Sequence, residues 1–153
     1  MRLKRNNYVK QNQDHLSEDF YIKNFLPKLE SVLQENAEFL NDIQAGRSVI
    51  EISSYNPIDF EMNITPVMDE LLTTSSLQLN HSLPIVVKEE VPLIFREYKR
   101  GDEMVKSELF KVFEPKEDKK QVYPQVLVIP LMGFMEDCHR IGYGGGFYDR
   151  TIQ

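Results

Sequence analysis

The run Arg140-Ile141-Gly142-Tyr143-Gly144-Gly145-Gly146-Phe147-Tyr148-Asp149-Arg150 concentrates residue types suited to holding phosphate. Four of the chain's seven glycines lie between Gly142 and Gly146. Glycine admits φ > 0 and lets a ligand reach the main chain with no Cβ in the way. Successive N–H groups in such a loop can form an anion-binding nest. Arg140 and Arg150 bracket the run with positive charge, and Asp149 supplies a carboxylate of the kind that binds magnesium. On composition alone, a flexible loop or a tight turn is an equally good reading. The run is not a Walker sequence, because no Gly-Lys-Ser/Thr follows, and it is not the Gly-x-Gly-x-x-Gly dinucleotide fingerprint.

A phosphate loop needs rigid elements on either side. Val126-Leu127-Val128-Ile129-Pro130 reads as a buried strand before it, and Phe147 to Thr151 can open a helix after it. Residues 17 to 45 have mostly helical apolar spacing, with Ser17 as N-cap and Gly46 as the stop. Pro27 predicts two helices or a kink there. Ser48 to Ser53 is a short β-like run, Asn56-Pro57 a loop, and Pro66 to Leu72 a short helix. Leu77 to Val87 and Leu93 to Tyr98 read as two strands paired through the Lys88-Glu89-Glu90 turn. Gly101 to Glu108 is polar with room for one helical turn, and Lys116 to Gln121 reads as a charged, exposed linker. Helices interleaved with apolar strands predict an α/β fold with a largely parallel sheet. Ligands in such sheets collect beyond the C-terminal ends of the strands, so the glycine loop and the Asn56 to Glu61 loop are predicted to meet at one edge.

Composition sets bounds on the function. The chain of 153 residues is long enough for one domain with a real core, with a helical part over 1–46 and a sheet with ligand loops over 48–153. A net charge of −6 argues against nonspecific nucleic-acid binding. No apolar run approaches a membrane span, and the basic start, Met1 to Asn7, leads into no apolar signal region. The lone Cys138 excludes an internal disulfide, suits a reducing cytoplasm and reads as an incidental loop thiol. His15, His81 and His139 have no metal-ligand spacing, and His139 reads as a pocket-edge residue.

The wording of the glycine run, with Pro130-Leu131-x-x-Phe134 before it, closely resembles the signature of the 5-formyltetrahydrofolate cyclo-ligase family (5,10-methenyltetrahydrofolate synthetases). Weaker matches fall in the family's order: Tyr55-Asn56-Pro57-Ile58-x-x-Glu61, Leu83-Pro84-Ile85-Val86-Val87, Pro92-Leu93-Ile94-Phe95-Arg96 and the turn Phe110-x-Val112-x-Glu114-Pro115. The resemblance covers roughly residues 48 to 153. It implies a three-layer α/β/α architecture like that of sugar-phosphate isomerases and CoA transferases. It also implies a cytoplasmic ligase that uses ATP and Mg2+ to convert 5-formyltetrahydrofolate to 5,10-methenyltetrahydrofolate through a phosphorylated formyl group.

In that setting ATP is held by Lys4, Arg5, Arg140, Gly142, Tyr143, Gly144, Gly145, Gly146 and Phe147. Asn56, Glu61, Tyr143 and Tyr148 face the folate, and Glu61 bonds its pterin ring. Arg140 and Tyr148 serve the chemistry, and Asp149 serves the metal. Departures are Asn63 and Ile64 in place of an acidic residue and a threonine, Gly133-Phe134-Met135 in place of Ala-Phe-Asp, Cys138 in place of a glycine, and Asn12 and Gln13 in place of basic residues. The family pattern also continues past Gln153 with a further strand and a late aspartate. The chain therefore reads as C-terminally truncated and self-associating through uncovered sheet surface, with a catalytically impaired folate- or nucleotide-binding remnant as the alternative.

Overall fold

A computed structural model describes residues 17–36, 49–58, 61–110, 112–137 and 139–153. Helix α1 runs over Glu18–Glu35, and the Ser17 side chain accepts from the backbone N–H of Phe20 (3.2 Å), capping its first turn. Pro27 lies inside this one helix rather than between two. The predicted stretch to residue 45 and the Gly46 stop lie largely outside the described residues. Strand β1 (Val49–Ser53) leads through the Tyr55–Ile64 segment to α2 (Thr65–Thr74), which has Pro66 in its first turn. Strands β2 (Gln78–Ile85) and β3 (Ile94–Glu97) follow. They pair antiparallel, as the charged turn predicts, and Glu90 takes a positive φ of 62° within the connection.

The five-stranded central sheet has the order β6-β3-β2-β1-β7, where β6 is Gln121–Val122 and β7 is Val126–Leu127. Strand β1 runs parallel to both β2 and β7, and β3 and β6 pair antiparallel beyond β2. The β1–β7 ladder continues past Leu127, where the Val128 N–H donates to the Ser53 carbonyl (2.8 Å). The sheet is thus mixed, with three parallel strands at its centre and one side. Two small hairpins lie outside it: β4 (Met104–Lys106) with β5 (Phe113–Pro115), and β8 (Gly133–Phe134) with β9 (Arg140–Ile141). Helix α3 covers Phe147–Ile152, where the sequence placed a helix start.

Side-chain alternation along the strands produces two packed faces. Ile50, Ile52, Val126 and Val128 face α1 and α2, whose Leu26, Leu33, Val67, Met68 and Leu71 complete the larger core. Ile52, Val67 and Leu71 have no measurable exposure. Leu127, Phe95 and Val122 face the other way, against Phe147 and Tyr148 of α3. Two helices cover the first face, and the six-residue α3 places Phe147 and Tyr148 on the second, so the fold is mixed α/β. Among the described residues no helix is long and apolar enough to cross a membrane.

Three local expectations are corrected. Residues 104–106 form a strand, not a helical turn, because β5 gives them a hydrogen-bonding partner. The Phe110–Pro115 turn itself contains that strand. The stretch from Lys116 to Gln121 is a short turn between β5 and β6, with Lys119 paired to Asp102 (2.7 Å), rather than a linker. Strand β7 is half-buried, because it is the outermost strand of the sheet among the described residues.

At the end of β1 the Ser54 hydroxyl lies 2.7 Å from His81 Nε2, and Tyr98 packs edge-on against the imidazole. Burial lowers the His81 pKa from 6.5 to about 4. Well above pH 6.5 neither the folded nor the unfolded chain protonates this ring. Between 6.5 and about 4 the unfolded chain binds a proton that the folded chain excludes, so stability falls as pH falls through that window. The His81→Gln variant is expected to lose less stability than the parent between about pH 7.5 and about pH 4.5, as read from urea unfolding. Equal losses in both proteins would refute the assignment.

Candidate active site

A cavity of about 570 Å³ opens beyond the C-terminal ends of β1, β2 and β7. The residues after β1 supply Tyr55, Asn56, Ile58 and Glu61 to its wall. Strand β2 and the residue after it supply Leu83, Pro84 and Val86. The chain after β9 supplies Gly142 to Asp149 without a break, and Arg140 lines the cavity from β9 itself. The sequence predicted this meeting of the two loops. Among the described candidates, Asn56, Glu61, Arg140, Gly142, Tyr143, Gly144, Gly145, Gly146, Phe147, Tyr148 and Asp149 all line one space. Lys4 and Arg5 lie outside the described residues, as does Cys138. His139 does not line the cavity. It sits in the β8–β9 turn with its side chain 73% exposed and its Nδ1 3.0 Å from Asp137.

The glycine loop owes its course to two left-handed positions. Gly144 has φ +94° with open space where a Cβ would stand. Gly146 has φ +64°, and its Cβ would meet Arg150 Nη1 at 2.7 Å. Gly146 is also the N-cap of α3 and has no side chain to offer, so the first turn relies on backbone groups alone. The Thr151 hydroxyl accepts from the Leu93 N–H (2.9 Å), which ties α3 to the entry of β3.

Charge within the loop is already organised. Arg140 Nη2 forms a short ion pair with Asp149 Oδ1, and the Arg140 guanidinium lies 5.7 Å from the centre of the Tyr148 ring. The Arg140 side chain is 22% exposed and that of Asp149 is 64% exposed, so the carboxylate reaches solvent while the cation is held. Burial pushes the Tyr148 phenol well above its usual pKa. The charges of Glu61 and Tyr55 add to this, and Arg140 opposes it. Tyr148 therefore stays a neutral hydrogen-bond donor at physiological pH, not a base.

On the opposite wall, the Glu61 carboxylate accepts from the Ile58 N–H (2.9 Å), and the Glu61 N–H donates back to the Ile58 carbonyl (3.0 Å). This closed turn sets where the carboxylate enters the cavity. The Tyr55 hydroxyl donates to the Met62 carbonyl (3.0 Å) and braces the same segment. The Asn56 side-chain amide donates to the Phe113 carbonyl across a short bond, so it joins the β1 loop to the β4–β5 hairpin. Sequence reasoning missed this tie, because the two residues are 57 positions apart. It also missed an apolar wall: Phe110, Val112 and Phe113 from the hairpin, with Leu93 from the start of β3. The visible signal was the Phe110-x-Val112 motif, read only as a turn.

Among the described residues, no three or more His, Cys, Asp and Glu side chains gather into a metal cage. A phosphate-bound magnesium needs less, since it keeps several waters and takes one or two carboxylates. The solvent-reaching Asp149 carboxylate fits that demand.

Residues 25–153 match the 5-formyltetrahydrofolate cyclo-ligase family. The chain belongs to that family. The 5-formyltetrahydrofolate cyclo-ligase of Escherichia coli K12 is 46% identical over 65 residues, a stretch covering 40% of this chain and 35% of that protein. The Haemophilus influenzae 5-formyltetrahydrofolate cyclo-ligase is 40% identical over 65 residues, covering 40% and 34%. The chain thus spans about a third of the length of these curated relatives. The solution structure of Aquifex aeolicus 5,10-methenyltetrahydrofolate synthetase superposes with a TM-score of 0.56 at 22% identity, covering 96% of this chain and 69% of that one. It shares the fold. The cyclo-ligase signature is therefore carried here on a cyclo-ligase fold, with its glycine run lining the cavity.

The glycine geometry separates two effects that a cyclo-ligase loop of this shape must combine. Gly144→Ala is expected to cost on the order of 1–2 kcal/mol of stability, from the left-handed backbone alone. Gly146→Ala is expected to cost less, because φ +64° lies within the left-handed region that alanine can enter and its Cβ displaces only the flexible end of Arg150. Urea unfolding of both variants checks this, and a larger loss in Gly146→Ala than in Gly144→Ala would refute it.

Proposed function

We propose that this cyclo-ligase family chain catalyses ATP-dependent cyclisation of 5-formyltetrahydrofolate to 5,10-methenyltetrahydrofolate. The observation that carries the reading is the junction of two segments on one cavity. Gly142 to Gly146 and Arg140 of β9 line it together, and the Tyr55–Glu61 segment supplies a fixed carboxylate beside an apolar wall. The relatives named above carry that activity in their names.

The chemistry explains why such a site suffices. An N-formyl group is an amide, so its carbon is a poor electrophile and its oxygen a poor leaving group. Attack of the formyl oxygen on the γ-phosphorus of ATP releases ADP and makes an iminium phosphate. The N10 amine then adds to the formyl carbon and loses its proton. Expulsion of inorganic phosphate leaves the methenyl bridge. Little covalent work falls to the protein, which must align two substrates and neutralise phosphoryl charge.

Residue roles follow. Gly142, Gly144, Gly145 and Gly146 let the triphosphate approach the main chain, with Tyr143 and Phe147 as walls. Arg140, held by Asp149 and Tyr148, offsets charge on the transferring phosphoryl group. Neutral Tyr148 donates a hydrogen bond to an oxygen in the reaction. Glu61 accepts from the pterin ring, and Asn56 aligns the folate side by holding the hairpin in place. Asp149 would hold the magnesium that accompanies ATP, supplying charge neutralisation at the phosphates. Lys4 and Arg5 are assigned to ATP as further cations. ATP and a reduced folate as substrates fit a cytoplasmic location.

The test is direct. The full chain, given ATP, magnesium ion and 5-formyltetrahydrofolate, is expected to develop near-ultraviolet absorbance of the methenyl product with stoichiometric release of ADP. Arg140→Ala should slow this on the order of a hundredfold. Binding of both ligands without product would instead favour a ligand-binding role, and no binding of either would reject the reading.

A further inference from the structure

Arg150 brackets the glycine loop in sequence, yet it does not line the cavity. Its guanidinium is engaged within the loop instead. Nη2 donates to the Gly145 carbonyl (2.7 Å), and the group lies 5.1 Å from the centre of the Phe147 ring. Nη1 occupies the space beside Gly146 that a Cβ would need. The buried Nε has no hydrogen-bond partner among the described residues. The side chain is thus held by its contact with one peptide, that between Gly145 and Gly146.

That peptide needs holding. The two residues it joins both lack a Cβ, so the plane can turn over at small steric cost. The freedom that admits a ligand also admits a flipped state, in which the Gly145 carbonyl would face the cavity and repel an anion. All described peptides are trans. In a trans peptide the carbonyl and the following N–H point in opposite directions. A Gly145 carbonyl fixed on Arg150 therefore turns the Gly146 N–H away from Arg150. Phe147 backs the arrangement. Its ring would contact a Gly145 Cβ at 3.0 Å, and it is itself braced edge-on by Phe110 at 5.3 Å.

We propose that Arg150 is a positioning residue that locks the Gly145–Gly146 peptide with its N–H toward the cavity, where it meets a phosphate oxygen of the nucleotide. The proposal rests on the phosphate-loop reading above. Arg150 touches neither substrate in this scheme. It acts through the backbone, and it gives the loop's second cation a task distinct from that of Arg140.

Two measurements on the full chain test it. Arg150→Met keeps a stem over Phe147 and removes the donors, and Arg150→Lys keeps one charged donor. By titration calorimetry, Arg150→Met is expected to bind ATP about tenfold more weakly than the parent, the worth of one charge-assisted hydrogen bond. Affinity for 5-formyltetrahydrofolate should be unchanged, and Arg150→Lys should recover most of the ATP affinity. In the ligand-free protein, the Gly146 amide resonance is expected to shift and its hydrogen exchange to quicken in Arg150→Met but not in Arg150→Lys. Unchanged Gly146 resonance and unchanged ATP affinity in a folded Arg150→Met protein would overturn the lock while leaving the proposed reaction intact. A parent protein that does not bind ATP would overturn both. Equal loss of ATP and folate binding would reduce Arg150 to a general structural role and also overturn the proposal.

Discussion

The parallel pairing of β1 with β2 on one side and β7 on the other is the constraint on which the site depends. Parallel strands end at the same edge, so the chain leaving each of them is delivered to one place. The register is held at that edge by backbone bonds that run past the strands: the Ser54 N–H to the Ser82 carbonyl, and the Val128 N–H to Ser53. Ser53 and Ser82 are buried there, and their hydroxyls bond to backbone carbonyls of the neighbouring strand, so their polarity is satisfied inside the sheet. Slipping β1 by one residue would move Ile50 and Ile52 out of the helix-facing core and carry Tyr55, Asn56 and Glu61 off the cavity wall.

Around this edge, the cavity is closed by ties between segments distant in sequence. Asn56 holds β5 through Phe113, Arg96 reaches the Pro115 carbonyl (3.2 Å), and Phe110 leans on Phe147. The β4–β5 hairpin is thereby pinned to the β1 loop, to β3 and to α3 together. Its apolar side chains Phe110, Val112 and Phe113 line the cavity, with Phe110 against Phe147.

The loop itself shows how charge is arranged before any ligand arrives. Arg140 is restrained by an acid and an aromatic face, and Arg150 by a carbonyl and another aromatic face. Adjacent aromatic residues, Phe147 and Tyr148, thus each carry one guanidinium. Restrained cations need little reorganisation when phosphate charge moves, which is the economy that electrostatic catalysis exploits.

Much of this was legible in the residues. The apolar periods of α1, β1, α2, β2 and β3, the hairpin through Lys88-Glu89-Glu90, and the strand–glycine loop–helix order around residues 126–152 are local patterns, and local patterns are written in spacing. The candidate site residues were legible through the resemblance of the glycine run and its upstream matches to the cyclo-ligase signature, since spacing alone leaves Glu61 an ordinary surface acid. Only the tertiary structure decided what depends on partners far away in sequence. Met104–Lys106 became a strand because Phe113–Pro115 lay beside it, overriding a polar composition. Asp149 paired with Arg140, nine positions earlier, and not with its neighbour Arg150, because adjacent residues on a helix do not face one another and β9 brings Arg140 alongside. Which wall of the cavity is apolar was likewise decided by contacts across the fold, whereas the Gly145 carbonyl is held by Arg150 only five residues away.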